Sequence, residues 1–470
     1  MQARVAPFYA MKHWVSGDNL WVMKELHEKH GPVVRIAPNQ LSFCTSSSWK
    51  DIHGHKAGRK QFLKGTWYEP FPSDPHQIVS VSDPDRHAAM RKALSHGFSA
   101  GALASQEDRV HHYLDMMLKQ ISSRYTDKPA DMTKWYNYLT FDVIGELAFG
   151  ESFGCVEFGK PHYWIEILFG FIKNTNFVRS FEYFPLLRSL LRIALRLKLL
   201  PRRVYELRAK MARYGSEKLA IRLANPPARV DFLHRMISQR DDWTGSALEE
   251  LQTQASLLTV AGSETTATAL SGITYYLCRD QRVYNKLISE IRSRFSTLDE
   301  ISGRATEQLP YLKAVIDEGL RLYPAIAAGL PRVSPGEVVD GHFIPKGTIV
   351  NVNPWVAGHI ESNFRNAFEF IPERWLDPDC KDDKAASQPF LTGSRVCLGR
   401  HLAMLELRIV LAKILWKFDM KLMDDNLDWV KSNKNYVFWE KPSLPVQFSP
   451  VQRASLSELP PVHIEGSSAT

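Results

Sequence analysis

The residue in this chain whose setting most clearly prepares it for chemistry is Cys397. It lies in Phe390-Leu391-Thr392-Gly393-Ser394-Arg395-Val396-Cys397-Leu398-Gly399, a loop punctuated by Gly393 and Gly399 that runs straight into a helix. Glycines have no Cβ and tolerate positive φ, so such a loop can turn tightly and approach a flat group closely. From Arg400 onward Leu402, Leu405, Ile409, Ala412 and Leu415 share one helical face. The N-terminus of that helix carries partial positive charge, which favours thiolate over thiol. We read Cys397 as a metal ligand. Two plainer readings compete. Most lone cysteines are ordinary buried thiols. Zinc needs four ligands, and although His401 follows closely, no CxxC pair or HExxH helix supplies the rest.

A second stretch breaks local rules in the middle of an element. Ser246-x-x-Glu249 matches a capping box, and helical periodicity then runs to about Cys278, roughly 50 Å of helix at 1.5 Å per residue. Its centre reads Ala261-Gly262-Ser263-Glu264-Thr265-Thr266. Glycine costs up to ~1 kcal/mol against alanine there, and threonine diverts backbone hydrogen bonds. Such violations point to a functional site, although a Gly-acid-Thr cluster is by itself more often a harmless kink.

Two further pairs stand at helical spacing, and a short run follows them. Asp83-Pro84 begins a helix that sets His87 and Arg91 on one face beside Lys92; a solvated basic face is the plain alternative. A helix over Pro310–Tyr323 pairs Glu318 with Arg321 and ends at Pro324. On a surface that pair would be worth under ~1 kcal/mol. Beyond it lies Pro372-Glu373-Arg374-Trp375.

Taken in order, these segments resemble the cytochrome P450 family, whose cysteine loop reads Phe-x-x-Gly-x-Arg-x-Cys-x-Gly. Every fixed position matches; one softer preference, a small or polar residue after the Phe, is missed at Leu391. The resemblance covers residues 28–450 and implies a mostly α fold with a small β portion. Haem b would lie between the long central helix and the cysteine-loop helix, its iron ligated by Cys397. A thiolate on haem iron pushes electron density onto the metal and favours O–O cleavage. The resemblance makes Ala261 and Gly262 the walls of an oxygen pocket and gives Glu264 and Thr265 the delivery of protons. His87, Arg91, Arg332 and Arg395 would hold the propionates, with Phe390, Gly393 and Gly399 shaping the loop. Here His87 replaces the family's usual Trp, which keeps a hydrogen-bond donor and loses aromatic area. Glu318, Arg321 and Arg374 would form a buried structural set.

The family's reaction is monooxygenation of an apolar substrate. The stretch Gly31–Thr45 and the residues after it resemble fungal members that tailor secondary metabolites such as trichothecenes, so terpenoid, polyketide or alkaloid intermediates are the expected substrates. A haem-thiolate isomerase or dehydratase, and a haem sensor without turnover, are the alternatives. No flavin or nicotinamide domain is visible, so electrons are expected from NADPH-cytochrome P450 reductase, docking on a basic face around Arg395, Arg400, Lys413 and Lys417.

Composition agrees with a globular enzyme: 470 residues, 44% hydrophobic and 11% aromatic, can enclose a cofactor. The net charge of +8 is modest, and no basic tract suggests nucleic acid. Five scattered cysteines argue for a reducing compartment without structural disulfides. Residues 1–27 lack the 17–25 apolar residues of a membrane span and have no signal-peptide layout. We therefore expect a lead without an anchor, an enzyme on the cytoplasmic side in peripheral contact with the endoplasmic reticulum, and a disordered tail over 451–470. Between Phe177 and Arg203, Leu, Ile and Phe interleave with Arg179, Arg188, Arg192, Arg196, Lys198, Arg202 and Arg203. Such a segment can lie on a membrane or form surface helices that cover a core. β-rich runs flank Pro38-Asn39, and Val338–Asn353 reads as short hairpin strands around Asp340-Gly341 and Lys346-Gly347. The aromatic, proline-rich run from Phe62 to Pro75 would form a loop over the substrate.

Overall fold

The computed structural model describes residues 7–55, 60–68, 76–165, 184–199, 202–225, 231–238, 243–424 and 428–451, with isolated positions between. Much of the substrate loop expected at 62–75, and all but the first residue of the tail expected at 451–470, lie outside the described residues. Helices α1 (Phe8–Ser16) and α2 (Asn19–His30) come first. They are packed against the rest of the chain: Leu20 belongs to the main core, Trp21 meets Trp355 edge-on at 4.6 Å, and Asn19 Nδ2 donates to the Asn435 carbonyl at 2.8 Å. No break in packing falls at residue 28.

The expected hairpin forms between β1 (Val33–Ala37) and β2 (Gln40–Phe43). β2 then pairs in parallel with β7 (Ile349–Val352), which pairs with β4 (Arg332–Val333). This corrects the reading of 338–353 as a run of hairpins. Only β5 (Glu337–Val339) and β6 (His342–Ile344) make one, around Asp340 and Gly341, both at positive φ as such a tight turn requires. β7 leaves for the larger sheet because Val350 and Val352 bury there with Leu41, Phe43 and Trp49. Trp49 comes from α3 (Ser46–His53), capped by Thr45, whose Oγ1 accepts from Ser48 N.

The helical body follows. α4 (Pro84–Ser95) begins with proline and is capped by Asp83, which accepts from Arg86 N at 2.7 Å. α5 (Ala100–Arg124) leads through β3 (Ala130–Asp131) to α6 (Met132–Phe149), buried along most of its length. α7 (Pro185–Arg196) and α8 (Arg202–Ala224) precede α9 (Gly245–Arg279), whose 35 residues cross the molecule. α9 starts earlier than the capping-box reading: Thr244 is the N-cap, without a side-chain bond, and Ser246 is already helical. A helical Ser246 cannot take the extended conformation of a cap, so no box closes.

α6 lies along α9. A Cβ on Gly262 would come within 2.5 Å of Ile144 Cδ1, so this glycine admits α6 rather than making room for oxygen. α10 (Gln281–Arg294), α11 (Pro310–Leu322) and α12 (Arg400–Lys417) complete the core. β8 (Phe418–Leu422) pairs with β11 (Pro445–Pro450), which also takes β3; β9 (Lys434–Asn435) and β10 (Trp439–Glu440) form a small hairpin between them. All five cysteines are free.

The set expected around Glu318 is made. Arg321 donates to both carboxylate oxygens at 2.7 and 2.8 Å, Arg374 Nε and Ile371 N donate at 3.0 Å, and Trp375 Nε1 donates at 2.9 Å. Arg321 also reaches the carbonyls of Gly358, Ala367 and Glu369. A buried charge survives only when its lone pairs are met, and here they are.

Candidate active site

The cysteine loop is closed by Cys397 N donating to the Phe390 carbonyl at 2.8 Å. Gly393 has φ +75°, and a Cβ there would overlap the His53 carbonyl, so the loop can press against α3 only with glycine. Leu391, the position that departs from the family pattern, sits at φ +60°, where a side chain costs about 1–2 kcal/mol. Its packing against the sheet cluster offsets part of that. Gly399 differs from expectation: φ is −84°, and a Cβ would meet only the Phe98 ring at 3.8 Å, an ordinary contact. Neither backbone nor neighbours demand glycine there, and the space beside it is open.

Cys397 opens to solvent-accessible space, yet protein atoms wall it in. Burial raises its thiol pKa, while the Gly399 N–H, Arg91 and Arg400 pull it down. The positive groups needed to hold a thiolate are therefore in place. Arg91 Nη1 also donates to the Val396 carbonyl at 2.7 Å, and Arg400 lies 5.9 Å from the centre of the Phe390 ring.

On α9, Ala261 is exposed although it lies midway along a helix that is otherwise largely buried. Thr265 Oγ1 donates back to the Ala261 carbonyl at 2.6 Å, on the same open side. Glu264 is fully buried, and its carboxylate meets the Lys441 ammonium and the Thr268 hydroxyl instead. α4 connects helix and loop: Arg91 holds Val396, and Gln254 Nε2 of α9 lies 3.8 Å from Met90 Sδ. Beyond Thr265, Thr266 hydrogen-bonds Glu406 of α12, a carboxyl that burial pushes up to about 8 and that sequence reading missed.

The structure gathers His87, Arg91, Arg332 and Arg395 into one electrostatic cluster, and adds Lys64 and His53. Burial, with Arg395 and Arg332 alongside, pushes Lys64 down to about 6. Burial and four neighbouring cations push His87 down to about 4. Burial and Arg332 lower Arg395 and drive His53 well below the usual histidine range. Among the described residues, the carboxylate that opposes the shift of Arg395 is Asp83, which is also spent on capping α4. His53 Nε2 is buried and has no partner among the described residues. A dianionic ligand would supply the missing charge, and the propionates of haem fit it. Lys64 and His53 carried no sequence signal, because neither stands at a recognisable spacing from the loop.

The basic face expected around Arg395, Arg400, Lys413 and Lys417 is not one surface. Lys413 is buried and paired with Asp115 at 2.7 Å, and Arg395 turns inward to the carbonyls of Val81 and Ser82. Arg400 is exposed, as is Lys92 on α4.

The family model for cytochrome P450 matches residues 3–448. The chain belongs to the cytochrome P450 family. It is 40% identical over 434 residues to cytochrome P450 monooxygenase ORF9 of Penicillium roqueforti, covering 92% of this chain and 84% of that protein. It is 40% identical over 444 residues to cytochrome P450 monooxygenase astA of Talaromyces wortmannii, covering 93% and 88%. To cytochrome P450 monooxygenase BOT4 of Botryotinia fuckeliana it is 37% identical over 459 residues, covering 97% and 86%. Cofactor and activity class follow from family membership: haem with cysteine-ligated iron, and monooxygenation of a small molecule with electrons from a redox partner.

Lys64 generates a prediction whose sign is fixed by its direction of shift. Without a dianion, Lys64 is largely neutral at pH 8, because its folded value of about 6 lies below the ordinary 10.5. The propionates raise that value, so on haem binding at pH 8 Lys64 takes up a proton, set against the proton that Cys397 releases as it becomes a thiolate. Calorimetry in buffers of different ionisation enthalpy reads the net exchange, and Lys64→Met should shift it by about one proton towards release. The same variant should lose haem to apomyoglobin roughly ten-fold faster, as the loss of one charge-assisted hydrogen bond implies. Unchanged net exchange and haem retention would remove Lys64 from the cofactor site.

Proposed function

We propose that this cytochrome P450 hydroxylates an apolar intermediate of fungal secondary metabolism, terpenoid, polyketide or alkaloid: RH + O2 + two electrons + two protons give ROH and H2O. Electrons come from NADPH-cytochrome P450 reductase. The observation that carries the reading is that Cys397, beside Arg91 and Arg400, is the exposed residue of a half-buried loop, that Ala261 is the exposed residue at the middle of α9 with Thr265 beside it, and that α4 joins the two. Haem bound there with Cys397 on its iron supplies the oxygen chemistry. The chain's own residues do the rest. Arg91 and Arg400 stabilise the thiolate, and Lys64, His87, Arg332 and Arg395 hold the carboxylates. Ala261 leaves room above, and Thr265 holds a proton on Oγ1 at the open side. Glu264 recharges that hydroxyl from solvent. Arg400 and Lys92 offer cations to an acidic reductase face.

Membrane contact is favoured by a specific inversion in α7. Leu186, Leu190, Ile193 and Leu197 form a stripe on the outer face, 51–82% exposed, while Leu191, Leu195, Arg188 and Arg192 turn inward. Arg188 reaches Thr66 Oγ1 at 3.2 Å. Phe8, 67% exposed, extends the apolar surface through Phe184, ring to ring at 4.9 Å. An outward apolar stripe flanked by Arg196 and Lys198 suits the boundary between acyl chains and anionic headgroups better than a role covering the core. No helix among the described residues is long and apolar enough to cross a membrane.

Two experiments test this function. With reductase and NADPH, Thr265→Ala should keep haem and substrate binding but lower product roughly ten-fold or more, the electrons going to hydrogen peroxide. Unchanged coupling would remove Thr265 from proton delivery, and turnover without added reductase would remove the external donor. In flotation, binding to anionic liposomes should weaken with salt and fall when Leu186, Leu190 and Ile193 become polar. Protein that stays soluble at low salt would end the membrane reading.

A further inference from the structure

Glu264 is directed away from the open side of α9. Its Oε1 meets the Lys441 ammonium, and Thr268 Oγ1 lies 3.2 Å from Oε1 while accepting from Lys441 Nζ at 2.8 Å. The side chains of Lys441 and Glu264 are only 3% and 2% exposed. Glu264 Oε2 has no hydrogen-bond partner among the described residues. Tyr323 also feels this carboxylate: burial and then the Glu264 charge raise its phenol well above the ordinary value.

Lys441 is held from both sides in sequence. Trp439 Nε1 donates to the Pro324 carbonyl at 2.9 Å. The Pro442 carbonyl accepts from Thr133 Oγ1 at 3.0 Å and from Trp429 Nε1 at 3.1 Å. The hairpin β9–β10 thus delivers one cation into the side of the helix that carries the chemistry. Stability gives no sufficient reason for it, since desolvating two charges largely cancels their attraction and an apolar pair of equal volume serves as well or better. An acid with one oxygen paired and the other unpartnered is poised between two arrangements.

We propose that Lys441 is a positioning residue for proton delivery: it holds the Glu264 carboxylate parked against Thr268, so that each proton passed to Thr265 is newly taken from solvent. This rests on the reading in which Glu264 and Thr265 deliver protons. The proton enters from solvent, is carried on Glu264 while the carboxyl turns from Lys441 to Thr265, and ends in water. Lys441 keeps its own protons throughout. Without Lys441 the buried carboxyl has no cation to hold its charge or its position, and becomes a poor donor.

The test uses the holoenzyme with reductase and NADPH and no added substrate, where oxygen is reduced either to hydrogen peroxide or, given prompt proton delivery, to water. The readouts are the peroxide formed per oxygen consumed and the infrared band of a protonated carboxyl. Lys441→Met should raise the peroxide share roughly two-fold or more and show the carboxyl band. Lys441→Arg should restore both, and Glu264→Gln/Lys441→Met should match Glu264→Gln, without the band. If Lys441→Met lowers thermal stability but leaves peroxide share and infrared spectrum as in the wild type, Lys441 is structural only and the proposal falls. If Glu264→Gln itself leaves the peroxide share unchanged, Glu264 does not deliver protons and the underlying reading falls. Should Lys441→Met fail to fold, the Arg and double variants decide, because a double variant differing from Glu264→Gln overturns the coupling.

Discussion

A carboxylate out of reach of water fixes the geometry of the cysteine side of this enzyme. Glu318 cannot be buried as an ion unless its oxygens are filled with donors. Those donors come from its own helix, from Ile371 N and from Arg374 and Trp375 beyond it. Arg321 in turn takes three backbone carbonyls from the segment between β7 and the cysteine loop. The charge thereby pins an irregular stretch of chain that has few regular hydrogen bonds of its own. Cys397 can be presented at a defined place because the chain leading to it is held at Glu318 and then, through Gly393, against α3.

The complementary constraint is an excess of positive charge on the other side of the loop. Lys64, His87, Arg91, Arg332 and Arg395 share a partly dry setting, where burial first and their mutual repulsion second push Lys64 and His87 down. Proteins keep such clusters where a ligand supplies the opposite charge, which is why a perturbed group in a cleft points to function. His53 Nε2, without a partner among the described residues, and the open space at Gly399 agree with the same occupant. A dianion bound there would relieve that repulsion, which would couple cofactor binding to folding.

Much of this was legible in the sequence because it depends on short-range spacing. The loop around Cys397, the helical faces of α9, α11 and α12, the cap at Asp83 and the pairing of Glu318 with Arg321 and Arg374 were all visible as patterns. What was not legible depends on which way a side chain turns once distant elements meet. Glu264 and Thr265 are adjacent in sequence, yet one is paired with Lys441, far along the chain, and the other lies beside Ala261 on the open side of α9. Gly262 reads as room for oxygen and proves to be room for Ile144. α7 reads either as a segment lying on a membrane or as a surface helix covering a core; Leu186, Leu190 and Ile193 face outward, while Leu191, Leu195, Arg188 and Arg192 turn in. Lys413 looks like a docking cation and is buried on Asp115. Periodicity gives the faces of a helix without saying which face the rest of the fold will cover.

The central claim is that Cys397, as a thiolate, is the ligand to the iron. The most direct measurement is the absorption spectrum of the dithionite-reduced protein under carbon monoxide, for wild type and for Cys397→Ala. Thiolate ligation gives a strongly red-shifted Soret band in the wild type, and the variant should lose it even where it retains haem in the cation cluster. A wild-type protein without that band, or a Cys397→Ala variant that keeps it, would contradict the account.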